Sequence, residues 1–83
     1  MKIPIEHSID LHTFRPSDVK SVVEEYVNAA HEAGFSEVRL IHGRGIGVQR
    51  GMVQAALEKH PFVKSFHDAP DAHLGATVAI LQP

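Results

Sequence analysis

Hydrophobic positions along this chain follow two rhythms. Ile3, Ile5, Ile9 and Leu11 fall on odd positions, with His7 as the one interruption. The segment ending Ile9-Asp10-Leu11-His12 therefore reads as a strand that buries Ile9 and Leu11 and places Asp10 and His12 together on the opposite face. From Val19 the period lengthens: Val19, Val22, Val23, Tyr26, Val27, Ala30 and Ala33 keep the i, i+3, i+4, i+7 spacing of an amphipathic helix. Pro16 suits its first turn, and Gly34 stands where the residue just past its C-terminus belongs. Glu37 to Ile41 reads as a second, largely buried strand. Met52, Val53, Ala56 and Leu57 mark a shorter helix of about three turns that starts near Val48 and is closed by Lys59-His60-Pro61. Phe62 to His67 and Ala76 to Leu81 complete the pattern as two further strands.

A strand, a crossover helix and a strand at this spacing make a parallel unit, for which a right-handed connection is expected. The stretch from Asp68 to Gly75 is too short for a helical crossover, so the last two strands are expected to pair antiparallel. The order is β-α-β-α-β-β. It predicts an α/β fold of the two-layer α+β sandwich kind, with a mixed four-stranded sheet, as a single domain over residues 1–83 with its core at 9–81.

Composition narrows the class. A chain of 83 residues with 43% hydrophobic content has room for one modest core. It contains no cysteine, which removes disulfide frameworks and thiolate metal sites. No membrane segment is expected, and Pro4 and Glu6 interrupt the N-terminus before a signal-like apolar run develops, so a cytoplasmic location is the expectation. The net charge of -2 argues against a globally basic nucleic-acid binder. Its distribution says more, because Val38 to Leu57 holds no Asp or Glu while Arg39, Arg44 and Arg50 all fall there.

That window surrounds His42-Gly43-Arg44-Gly45-Ile46-Gly47. Glycines at alternate positions between a strand and a helix let the backbone approach a ligand closely, and the helix start aims unpaired N–H groups at an anion. A tight strand-to-helix turn would also need glycine, but Arg44 in the loop and His42 at its mouth favour phosphate. Gly43, Arg44, Gly45, Gly47 and Arg50 are the candidate substrate-binding residues. In open α/β sheets ligands sit beyond the carboxyl ends of parallel strands. This rule brings Asp10 and His12 beside His42, a set suited to phosphodiester cleavage. One imidazole would serve as base and the other as acid, with Arg44 and the loop amides holding the developing charge. Asp10 would orient an imidazole or bind a divalent cation such as magnesium; no cofactor is otherwise called for. The remaining His7, His31, His60, His67 and His73 show no metal-ligand spacing and are expected at the surface or in turns.

Ile9-Asp10-Leu11-His12, the amphipathic helix, His42-Gly43-Arg44-Gly45-Ile46-Gly47, His60-Pro61 and Gly75-Ala76-Thr77, in this order, resemble the Smr (small MutS-related) domain family over residues 9–81. The resemblance implies a fold like the C-terminal domain of bacterial translation initiation factor 3. It also implies a role on nucleic acid, either DNA nicking or endonucleolytic RNA cleavage. Cleavage would be tied to Asp10, Leu11 and His12, and substrate phosphate and catalysis to His42, Gly43, Arg44 and Gly45. RNA or DNA is the implied partner, with the ribosome or a larger repair or RNA-processing protein beyond it. The chain departs from the usual family pattern at Thr13, where glycine often follows, at Arg44, where lysine is commoner, and at Ala72-His73-Leu74-Gly75, which is poorer in glycine. Arg44 keeps the charge and adds a fork suited to phosphate. Two other classes fit the same residues. One is a non-catalytic phosphate or nucleic-acid binding module, and the other a metal-dependent hydrolase of a small phosphorylated molecule.

Overall fold

In a computed structural model the described residues are 6–11, 13–43, 48–69 and 75–83. They form β1 (Ser8–Asp10), α1 (Pro16–Glu32), β2 (Glu37–Ile41), α2 (Val48–Lys59), β3 (Val63–Asp68) and β4 (Ala76–Leu81). The sheet order is β1-β2-β4-β3. β1 and β2 pair in parallel, and β4 lies antiparallel to both β2 and β3. Three strands thus run one way, with the antiparallel β4 between β2 and β3, and the expected mixed sheet and element order are found.

α1 forms where the sequence predicts it and ends by a glycine device. Gly34 has φ 88°, a conformation glycine adopts without strain. Its N–H donates to the carbonyl of His31 at 3.1 Å, and the Phe35 N–H donates to that of Ala30 at 3.0 Å. This pair of bonds satisfies carbonyls that the last turn leaves open. Val19, Val23, Tyr26, Val27 and Ala30 are buried, while Val22 is half-buried and Ala33, the C-cap, is exposed.

The apolar sides of both helices share one cluster with Leu11, Val38, Leu40, Ala79 and Leu81, so they cover one face of the sheet. The other face carries a smaller cluster of Ala69, Ala76 and Val78 with Ile41 and Ile80. β3 follows neither simple alternation nor the expected bounds of 62–67. Val63 faces Leu81 and Ser65 faces Ile80, so Lys64 is the extra residue of a bulge. That bulge lets Val63 and Phe66, three apart, both turn toward the helices.

Candidate nucleic-acid site at the ends of the parallel strands

The carboxyl ends of β1, β2 and β3 and the first turns of α2 meet at one end of the sheet. Asp10 closes β1 opposite Ile41, and the pairing continues one step further through the Leu11 N–H to the Ile41 carbonyl at 2.7 Å. His42 and Gly43 follow directly. Both of their backbone N–H groups donate to the single carbonyl of Gly75, each at 3.0 Å. Gly43 has φ 89°, a left-handed conformation that a side chain would strain. His12, Arg44, Gly45 and Gly47 lie outside the described residues.

His42 departs from expectation. Its side chain is 4% exposed. Nδ1 lies 3.1 Å from the carbonyl oxygen of Gly43, and Nε2 lies 2.9 Å from Thr77 Oγ1. Both ring nitrogens are therefore engaged inside the protein, and the ring is not presented to a substrate at this end of the sheet. Nor do Asp10 and His42 share a side of the sheet. Asp10 pairs with Ile41, whose side chain joins the face away from the helices, whereas His42 bonds Thr77, which pairs with Leu40 on the helix face. Pleating explains the difference, because successive residues of β2 point to opposite faces. The expected convergence of Asp10 and His42 on one spot is corrected to a shared sheet end with the two groups on opposite sides.

Arg50, in the first turn of α2, is held as well. Its Nε donates to Asp68 Oδ1 at 2.9 Å and its Nη2 to Oδ2 at 2.7 Å, in the two-pronged geometry that favours arginine. Hydrogen bonds from Arg50 hold the Asp68 carboxyl below the usual carboxylate range, and the same contact raises the guanidinium. The acid-free window therefore acquires an acid from β3, which linear sequence did not reveal. Gln54, one turn further along α2, joins the two groups of contacts. Its Nε2 donates to Asp68 Oδ1 at 3.1 Å and to Thr77 Oγ1 at 3.1 Å. Sequence reasoning assigned no role to Gln54, Asp68 or Thr77. Only Thr77 had a signal, as part of Gly75-Ala76-Thr77.

The other histidines divide. His60, expected at the surface or in a turn, is in a turn but buried, with Nδ1 accepting the Phe62 N–H at 3.1 Å. His31 is half-buried and stacks on Phe62, ring centres 3.9 Å apart, while the exposed His7 stacks on Phe35 at 4.3 Å. His67 is exposed on β3, and His73 lies outside the described residues. Among the described residues no three His, Asp or Glu side chains gather where they could hold a metal ion. Among them, too, no helix is long and apolar enough to cross a membrane.

Comparison with known proteins gives a consistent picture. The family model described as the Smr domain matches residues 9–82. The chain is 38% identical over 80 residues to Endonuclease MutS2 of Caldicellulosiruptor bescii, a match covering 94% of this chain and 10% of that protein. It is 35% identical over 80 residues to Endonuclease MutS2 of Lactococcus lactis subsp. cremoris, with the same coverages. The chain thus spans about a tenth of the length of these curated relatives. The crystal structure of the Smr domain of Thermus thermophilus MutS2 superposes with a TM-score of 0.86 at 32% identity, covering 94% of this chain and 100% of that one. YdaL, a stand-alone small MutS-related protein from Escherichia coli, has the same fold, with a TM-score of 0.86 at 23% identity over 99% of this chain and 69% of that one.

Proposed function

The chain belongs to the Smr domain family, and on that premise we propose that it is a nucleic-acid endonuclease, cleaving RNA in preference to nicking DNA. The observation that carries the reading is the placement of Asp10 and the His42–Gly43 turn side by side at the ends of paired parallel strands. The name endonuclease borne by the MutS2 relatives supports it.

In this reading the turn at Gly43 launches the loop whose backbone N–H groups and Arg44 cradle a phosphate and stabilise the charge that develops on it. His12 takes the proton of the attacking 2′-OH and returns it to the 5′-oxygen as its bond to phosphorus breaks, and Asp10 orients the imidazole. RNA is preferred because its 2′-OH supplies the nucleophile, so no metal is needed to activate water. His42 braces the turn at Gly43 rather than acting as the second proton carrier, since both ring nitrogens are already bonded. Substituting His12→Ala is expected to abolish cleavage of an end-labelled RNA while most of the binding persists. Cleavage unchanged in that variant overturns the assignment.

The burial of His42 gives a second reading its footing, because it withdraws one member of the expected acid–base pair. In that reading the same loop binds phosphate and does not cleave. Binding by the wild-type chain without any cleavage, with or without a divalent cation, is the outcome that selects it.

A further inference from the structure

A continuous chain of hydrogen bonds runs from the exposed ion pair of Arg50 and Asp68, through Gln54 and Thr77, to the buried ring of His42. We propose that Gln54 and Thr77 are positioning residues that lock His42 in the tautomer protonated on Nδ1 and so hold the His42–Gly43 turn in its observed shape.

The proton direction of each bond follows from what its partner can do. The Gly43 carbonyl only accepts, so Nδ1 of His42 donates to it across 3.1 Å. A neutral imidazole with its proton on Nδ1 offers a lone pair on Nε2. The Thr77 hydroxyl, 2.9 Å away, donates to that lone pair. Having given its one proton, Thr77 Oγ1 accepts from Gln54 Nε2 at 3.1 Å. At the far end the Asp68 carboxylate only accepts, so it takes the second Nε2 proton of Gln54 and both prongs of Arg50. Turning the Gln54 amide over would set its oxygen against a carboxylate and against a hydroxyl with no proton to give. One arrangement satisfies every group.

Burial makes the arrangement costly to leave. Thr77 is fully buried and His42 nearly so, and among the described residues no buried side-chain polar atom lacks a partner. With the ring fixed, the turn is held on two sides, by Nδ1 on the Gly43 carbonyl and by Gly75 on both backbone N–H groups. The relay thus couples the first turns of α2 to the His42–Gly43 turn that follows β2. Its consequence for cleavage rests on the nuclease reading, whereas the state of the ring does not.

The test is nitrogen-15 NMR of the histidine rings in the whole chain, which reads the protonation of each ring nitrogen directly. Wild-type His42 is expected to show a protonated Nδ1 and an unprotonated Nε2 that feels the Thr77 hydroxyl. Thr77→Val, nearly the same shape without the hydroxyl, is expected to shift the Nε2 resonance and mix the tautomers. Rate of RNA cleavage should then fall about tenfold to a hundredfold, mostly in kcat, with Thr77→Ser restoring both signals. A wild-type ring protonated on Nε2, or a Thr77→Val spectrum unchanged at His42, overturns the proposal. The wild-type spectrum needs no variant, so failure of Thr77→Val to fold leaves it decisive. Absence of cleavage in the wild type removes the nuclease reading and leaves the ring spectrum to decide the relay.

Discussion

Arg50 and Asp68 meet through two parallel hydrogen bonds of 2.9 and 2.7 Å, joining the first turn of α2 to the last residue of β3. Both side chains are about half exposed, at 48% and 52%. Arg50 follows the candidate phosphate-binding stretch 44–47 by three positions in sequence, and Asp68 occupies a guanidinium fork that a phosphate would also fit.

Releasing that fork should strengthen nucleic-acid binding. Asp68→Asn is expected to raise affinity for a short RNA several-fold and to steepen the fall of log affinity with log salt by roughly one unit, the signature of one added phosphate contact. Fluorescence titrations across a salt series measure both quantities. An unchanged slope in Asp68→Asn would show that Arg50 does not reach the substrate.

The same contact predicts an acid-side effect on stability. Asp68 titrates below its ordinary 3.8 in the folded chain, so its stabilising contribution is present above that value and fades as pH falls through the lower folded value. Melting temperatures followed downward from neutral pH should fall more steeply for the wild type than for Asp68→Asn. High salt should narrow the gap, because the pair is open to solvent. Parallel curves in low salt would contradict this.

Tyr26 makes the opposite prediction at the alkaline end. Burial, with the charge of Glu6 adding to it, pushes its hydroxyl up from 10.0 to about 12, and the hydroxyl donates to the backbone carbonyl of Glu6. A raised value keeps its contribution intact below pH 10.0 and removes it as pH climbs to about 12, a loss on the order of 1–3 kcal/mol. The chain has one tyrosine, so ultraviolet titration reports this group alone. Tyr26→Phe should cost about 1 kcal/mol at neutral pH and flatten the alkaline decline. Titration at the ordinary value would mean the hydroxyl is not held.

Val23 and Val27 are each 0% exposed on the inward stripe of α1. Truncating either to alanine should cost on the order of 1–3 kcal/mol. For a domain this small that lowers the melting temperature by several degrees for each kcal/mol, about 4–8 °C. Thermal melts that show no loss would displace the core from this face.

The readable parts of this chain are those where a local rule decides the outcome. Val19 to Ala30 is periodic, and Pro16 and Gly34 punctuate it, so α1 could be placed from sequence. The β2 bounds of Glu37–Ile41, the start of α2 at Val48 and the β4 bounds of Ala76–Leu81 likewise agree with the pattern. Val63 and Phe66 were harder, because a bulge at Lys64 breaks the alternation and no residue type announces it. The site was legible as a place and not as an arrangement. Which side of the sheet Asp10 and His42 occupy depends on the register between β1 and β2, a pairing that neither strand encodes alone. The Asp68–Gln54–Thr77–His42 relay draws on β3, α2, β4 and the end of β2, so contacts of this kind emerge only when the strands are laid side by side.

The most direct measurement is cleavage of end-labelled RNA and of supercoiled plasmid by the purified chain, with and without a chelator, beside an Asp10→Ala/His12→Ala variant. The expected result is RNA cleavage by the wild type that survives chelation and vanishes in the variant, with binding largely kept. Equal cleavage by both proteins, or binding with no cleavage by either, would contradict the assignment of an endonuclease to the ends of these strands.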